Sequence, residues 1–305
     1  MTKRRYFTIL IFTILLLGAA QLVAQRGFGF RDTPPAGSRV EYKTFASKVL
    51  NREIRYGLYL PPSYASSTKR YPVLYFLHGL NENEMRWSTR GLTDLKLDKL
   101  VADGKIGEFI VVVPFGATSF YTNTRSGAQP WEDMIVNEFI PAFESANRVN
   151  ATRATRGISG ISMGGYGALK IAMKHPDLFG SVSAHSAVLL ADLADARVSD
   201  RRLAMFSSMF DQIYGINQDM KYWEDNNPMT LAANTKKLNG LKIYFDCGTE
   251  DEYGFQVGTK HLDEILTKAA YPHEAHLYPG NHGWDYAIQH TEASLQFHWK
   301  AFSAR

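Results

Sequence analysis

The stretch GISGISMGGYGALKIAM, Gly157–Met173, sets five glycines around Ser159 and Ser162 and then runs into a pattern of helical spacing. Its reading decides the fold, because several glycine-rich turns suit a strand-to-helix junction and each implies a different chemistry. A phosphate-binding loop places a lysine and a Ser/Thr directly after its last glycine, so that an ammonium meets the phosphates, and no such lysine is present here. A dinucleotide fingerprint needs an acidic residue at the end of the next strand to hold a ribose hydroxyl, and the next strand-like segment, SVSAHSA (181–187), has none. The remaining reading is Gly160-Ile161-Ser162-Met163-Gly164, a G-x-S-x-G turn. Such a turn holds its serine in a strained bend, and the flanking glycines leave room for neighbouring backbone, so the hydroxyl projects above the sheet edge.

Outward from this turn, the chain alternates between short apolar runs and helical spacing. YPVLYFLHG (71–79) and EFIVVVPFG (108–116) are nearly continuous apolar runs, which suits strands buried on both faces. Helical patterns follow at 91–107, 131–145, 164–175, 259–270 and 285–302, and further strands are predicted ending near Ile161, at 181–187, at LKIYFDCG (241–248) and at HEAHLYPG (273–280). Two earlier β-like runs, 39–49 and 53–60, read as an antiparallel pair ahead of the alternation. The order predicts an α/β fold with a mainly parallel central sheet, helices on both faces, and a helical insertion over 188–238 after the sixth strand.

A serine in such a turn needs a histidine as base and a carboxylate to orient it, in the chain order serine, acid, histidine. His282 lies in YPGNHGWDYA (278–287), in a glycine-marked loop between the last strand and the last helix, where an imidazole can reach back over the sheet. His273 and His276 fall within a strand, His261, His290 and His298 on helices, and His78 comes too early in the chain. HEAH on a strand also lacks the helical geometry of a metal-binding HExxH, so no metal and no cofactor is expected. For the acid, YFDCGTEDEYG (244–254) offers Asp246 at the strand end and Asp251 on the following loop, beside Glu250 and Glu252; a loop residue reaches the imidazole more easily, which favours Asp251. Backbone N–H groups of Leu80, after the third strand, and of Met163, after the serine, are placed to form an oxyanion hole. Trp87, Phe120, Tyr121, Trp131, Tyr253 and Trp284 lie in segments expected to rim Ser162, where aromatic faces could stack on a phenolic acid or a sugar.

The 305 residues, 45% hydrophobic, suffice for one large domain, assigned to 39–305. Lys3, Arg4 and Arg5, an apolar run over 7–17 and the small residues Gly18, Ala19 and Ala20 have the layout of a secretory signal peptide over 1–24, cleaved near Ala20 or Ala24. That layout predicts a secreted or periplasmic protein with no membrane partner beyond the leader. Those three cations supply three of the formal +4 charges, leaving +1, so nucleic acid is not an expected partner. Cys247 is the only cysteine, which excludes an internal disulfide.

At YPVLYFLHGLNENE, GISGISMGGYGALKIAMKHPDLFGSVSAHS, YFDCGTEDEYG and YPGNHGWDYA, the sequence resembles the esterase D family of α/β-hydrolases. That family includes feruloyl and acetylxylan esterases of carbohydrate esterase family one, S-formylglutathione hydrolases and secreted mycolyltransferases. The resemblance implies the α/β-hydrolase fold, Ser162 as nucleophile, Asp251 as acid, His282 as base, and the Leu80 and Met163 amides as oxyanion donors. It implies an ester substrate: the export signal argues against an S-formylglutathione hydrolase, and nothing in the sequence shows the long apolar cleft that mycolyl transfer needs. Plant-polysaccharide esters of feruloyl or acetyl type are favoured, with another short-chain or siderophore-type ester as the alternative. PFGATSFYTNTRSGAQPW (114–131) and the 188–238 insertion depart from the shared pattern, so the chemistry carries over better than the substrate.

Overall fold

The computed structural model describes residues 39–190, 201–215 and 219–304; the expected leader lies outside them. Eight strands form one sheet: β1 (Val40–Ser47), β2 (Arg52–Tyr59), β3 (Val73–Leu77), β4 (Ile110–Pro114), β5 (Arg156–Ile161), β6 (Ser181–His185), β7 (Lys242–Gly248) and β8 (His273–Tyr278), in the order β1-β2-β4-β3-β5-β6-β7-β8. β1 and β2 pair antiparallel, β2 meets β4 antiparallel, and all pairs from β4 to β8 are parallel. The antiparallel pair and the parallel sheet agree with the sequence reading.

The apolar runs of β3 and β4 supply both layers of the core through strand alternation. Val73, Tyr75, Leu77, Ile110 and Val112 face one cluster, whereas Leu74, Phe76, Val111 and Val113 face the other. The second cluster is covered by α1 (Thr93–Ala102) and the last helix, through Leu97, Leu100, Leu295 and Phe302. The first is covered by residues 131–146 (α2), Met163–Lys174 (α3) and Phe255–Lys268 (α5), together with Phe206 and Phe210 of Arg201–Tyr214 (α4), the longest described helix of the insertion. The last helix, α6, is Trp284–Ser303.

One boundary and one internal segment differ from expectation. α5 begins at Phe255 rather than near 259, because Gly254 (φ 79) takes the left-handed conformation at its N-cap. α2 carries a π-helical segment, Met134–Phe139, which no apolar period reveals.

The chain passes from β3 outward to β4 and returns to β5 on the other side of β3, so the crossovers diverge beside the C-terminal ends of β3 and β5. Open α/β sheets place their ligand crevices at such a point. Ser162 follows the end of β5 there.

Candidate active site

Ser162 has φ 56 and ψ −118, outside the regions that L-residues favour. The bend is held by its own amide donating to the His185 carbonyl (2.9 Å) and by its carbonyl accepting from Tyr166 N–H (3.0 Å). The two motif glycines are sterically required: a Cβ at Gly160 would stand 2.2 Å from the Gly164 carbonyl oxygen, and one at Gly164 would stand 2.0 Å from that of Leu77. The close contact of α3 with β3 and β5 therefore rests on both glycines, and Ser162 is left partly exposed at the start of the helix.

Ser162 Oγ lies 3.0 Å from His282 Nε2, and His282 Nδ1 lies 2.7 Å from Asp251 Oδ2. With the carboxylate accepting at Nδ1–H, Nε2 presents its lone pair to the Ser162 hydroxyl. The Asp251 side chain is fully buried and the His282 side chain 14% exposed. Asp251 Oδ1 accepts from Tyr253 N–H (3.0 Å), and Cys247 Sγ–H donates to Oδ2 at 3.4 Å. The His282 loop depends on Gly280 (φ 142) and Gly283 (φ 119), and its backbone is held by His282 N–H donating to the Glu252 carboxylate (2.8 Å).

Asp246, the acid near the end of β7, is committed elsewhere. Its Oδ2 accepts from His185 Nδ1–H at 2.8 Å, its Oδ1 accepts from Tyr286 O–H at 3.0 Å, and His185 Nε2 meets Ser294 Oγ at 2.9 Å. Loop placement of Asp251 and strand placement of Asp246 separate the two as the reach argument requires.

A cleft of about 150 Å³ opens over Ser162, between the turn after β3 and the loops carrying Asp251 and His282. Gly79, Leu80 and Glu82 line one side; Phe206, Tyr253 and Phe255 line the other. Met163 opens α3, where the first N–H groups have no acceptor within the helix and the macrodipole favours negative charge. His78 precedes the Leu80 turn and is fully buried: its Nε2 accepts from Gly116 N–H (2.9 Å), its Nδ1–H donates to the Gly79 carbonyl (2.8 Å), and burial lowers its pKa to about 4. A neutral imidazole thus pins the turn from beneath.

The aromatic expectation is corrected at four of six positions. Trp87 (2% exposed), Phe120 (0%), Tyr121 (0%) and Trp131 (3%) are buried in the core and do not line the cleft. Trp87 packs under β3 against Tyr59 and Phe76, and Phe120 packs against Tyr166, Phe206 and Phe210. Tyr121 instead supports the turn, donating its hydroxyl to the His78 carbonyl (3.2 Å), while its own carbonyl accepts from the buried Lys170 ammonium (2.6 Å). Lys170 is balanced by Glu132 at 2.7 Å. Tyr253 and Trp284 do line the cleft. Two aromatic residues of the wall were not anticipated. Phe206 lies within the insertion, and Phe255 precedes the expected start of its helix at 259; the Gly254-Phe255 pair is the sequence signal for the earlier start.

A family model described as "Putative esterase" matches residues 47–294. Over 148 residues, 46% of this chain and 20% of its relative, the sequence is 35% identical to an endo-1,4-β-xylanase/feruloyl esterase of Xylanibacter ruminicola. Over 281 residues, 84% of this chain and 59% of the relative, it is 28% identical to an esterase of Mycobacterium tuberculosis. Among solved structures it is similar to a ferulic acid esterase, with 27% identity and a TM-score of 0.74, covering 87% of this chain and 99% of the other. The matched segments thus span a fifth of the first curated relative and about three fifths of the second.

Proposed function

The chain belongs to this esterase family, and from that premise we propose that it is an exported serine esterase that hydrolyses carbohydrate-linked esters of feruloyl or related type through an acyl-enzyme. The observation that carries the reading is the continuous hydrogen-bonded path from Ser162 Oγ through His282 to Asp251, opening into a cleft. In the first half-reaction, His282 Nε2 takes the Ser162 proton as Oγ bonds to the ester carbonyl carbon, and the oxyanion is received by the Leu80 and Met163 amides. The bond to the alcohol oxygen then breaks, and His282 returns the proton to that oxygen. Water repeats the sequence on the acyl-serine, releasing the acid and restoring Ser162. Asp251 keeps the His282 tautomer correct and stabilises the imidazolium.

The acyl preference is supported by Tyr253 and Phe255, stacked on each other at 5.5 Å and set edge-on to His282 at 4.9 and 5.4 Å. Phe206 adds a third ring. Such a wall suits a planar aromatic acyl group better than a flexible fatty chain, and relatives named as feruloyl esterases point the same way. The leader over 1–24 supports export.

The test is kcat/KM for methyl ferulate, acetylated xylan oligosaccharides and p-nitrophenyl esters of long fatty acids. Feruloyl or acetylated sugar esters should exceed the fatty series; a preference for long acyl chains would remove the carbohydrate reading and leave the esterase chemistry standing. Labelling by a fluorophosphonate should map to Ser162, and N-terminal sequencing of exported protein should begin after Ala20 or Ala24.

A further inference from the structure

Glu82 stands in the wall of the cleft with both carboxylate oxygens engaged, and neither partner belongs to the Ser162–His282–Asp251 path. Oε2 accepts from Gly79 N–H at 3.0 Å, and Glu82 N–H donates back to the Gly79 carbonyl at 3.3 Å. Residues 79–82 thereby close a turn, with Asn81 in the left-handed conformation (φ 58). That turn contains Leu80. Oε1 accepts from Trp284 Nε1–H at 2.5 Å, and Trp284 opens α6 two residues after His282. One carboxylate therefore ties the turn after β3 to the loop of the base, segments 202 residues apart in sequence.

We propose that Glu82 is a positioning residue: by bridging the Gly79 amide and the Trp284 indole, it holds the Leu80 oxyanion donor in register with His282. The tie is stiff at both ends. The Trp284 ring is 6% exposed, packs on Phe76 at 6.2 Å, and lies where a Cβ on Gly91 would come within 2.5 Å of it, so the indole has one seat. On the far side, the base loop is held by Glu252 at the His282 amide. A carboxylate is required because both partners are donors; a glutamine has one acceptor oxygen, and its amide would face an N–H. Burial pushes the Glu82 carboxyl above its ordinary pKa, and the bonds from Trp284 and Gly79, with Arg86 and Arg90 nearby, work against that rise, as expected of a carboxylate held in the wall by its donors. Oxyanion stabilisation depends on donor placement to a fraction of an ångström, and a shift of about 1 Å costs roughly 100-fold in rate.

The kinetic part of this inference rests on the esterase reading; the structural part does not. The experiment compares full-length wild type, Glu82→Gln, Trp284→Phe and the double variant. It measures kcat and KM on p-nitrophenyl acetate, melting temperature, and amide hydrogen exchange of peptides covering 79–82 and 281–284. Each single variant should lower kcat about 10- to 100-fold with KM within about threefold, and the double should be no worse than the worse single, because both break one tie. Exchange should quicken in both segments of Glu82→Gln. Folded single variants with kcat within about twofold of wild type, or effects that multiply in the double, overturn the proposal. If Glu82→Gln does not fold, Trp284→Phe, which keeps a ring in the seat, decides it. If wild type hydrolyses no ester, the esterase reading falls, and unchanged exchange over 281–284 in Glu82→Gln would separately overturn the tie.

Discussion

Two serine–histidine–aspartate paths start from neighbouring positions around the end of β7. One runs Asp246–His185–Ser294 with separations of 2.8 and 2.9 Å; the other runs Asp251–His282–Ser162 with 2.7 and 3.0 Å. On distances alone they are interchangeable. They differ in what the serine can meet. Ser294 Oγ also lies 3.0 Å from the Thr291 carbonyl and is 2% exposed inside α6, where no substrate can reach it. Ser162 directs its hydroxyl at a free lone pair and borders a cleft. The inner path is a buried strut between β6, β7 and α6. What separates the two paths is access, and hydrogen-bond lengths carry none of that information.

The sharpest way to break the comparison is at the serines. Ser162→Ala should lower kcat by about 1,000-fold or more, whereas Ser294→Ala, in protein that remains folded, should stay within about threefold. Comparable losses on any hydrolysed ester would put the two paths on one footing. The acids give the next contrast. Asp251→Asn should cost on the order of 1,000-fold in kcat with little change in melting temperature. Asp246→Asn should spare turnover but leave one of its two buried donors, His185 Nδ1–H or Tyr286 O–H, without an acceptor, at about 2 kcal/mol, a drop of roughly 4–8 °C. Collapse of turnover in Asp246→Asn alone would reverse the assignment.

Acid should reach the buried histidines through unfolding. Burial lowers His78 to about 4 and His298, held between Ser181 and Ser183, to about 3. Both rings are neutral in the folded chain, and the unfolded chain binds their protons first, near 6.5. Their contribution is therefore complete above pH 6.5 and is lost as pH falls toward those values, about 3 kcal/mol for His78. Urea unfolding from pH 7 to pH 4.5 should show the loss, and His298→Asn should flatten part of it; equal slopes would count against a neutral His298. The smallest effect belongs to Cys247. Its thiol is a weak donor to Asp251, so Cys247→Ala should change kcat by less than about fivefold. A larger loss would make the thiol a working part of the outer path.

The elements that were legible in the sequence are those whose pattern follows directly from burial. β3 and β4 are apolar at every position because both faces are covered, and the glycines at 160 and 164 mark a contact too close for any side chain. The loops of Asp251 and His282 were legible because reach and glycine spacing constrain them. The lining of the cleft was not. Trp87 and Trp131 sit in loop-flanked segments yet point inward, since an aromatic residue gives the same sequence signal whether it packs in a core or faces a cleft. Phe206 escaped notice because α4 is amphipathic like any surface helix, and only its docking against Tyr253 and Phe255 brings it to the site. Glu82 escaped because its partner is remote in sequence.

The backbone at Ser162 has an evolutionary consequence. A residue that must sit at φ 56 carries roughly 1–3 kcal/mol of local strain, and glycine at that corner would shed most of it. With the role proposed for Ser162, mutational drift at this codon is pulled in two directions: selection for turnover retains the serine, while selection for folding alone favours its loss. A lineage released from the need to hydrolyse anything would gain robustness by abandoning this serine first, leaving a sturdier shell with the same sheet and without the reaction proposed for it.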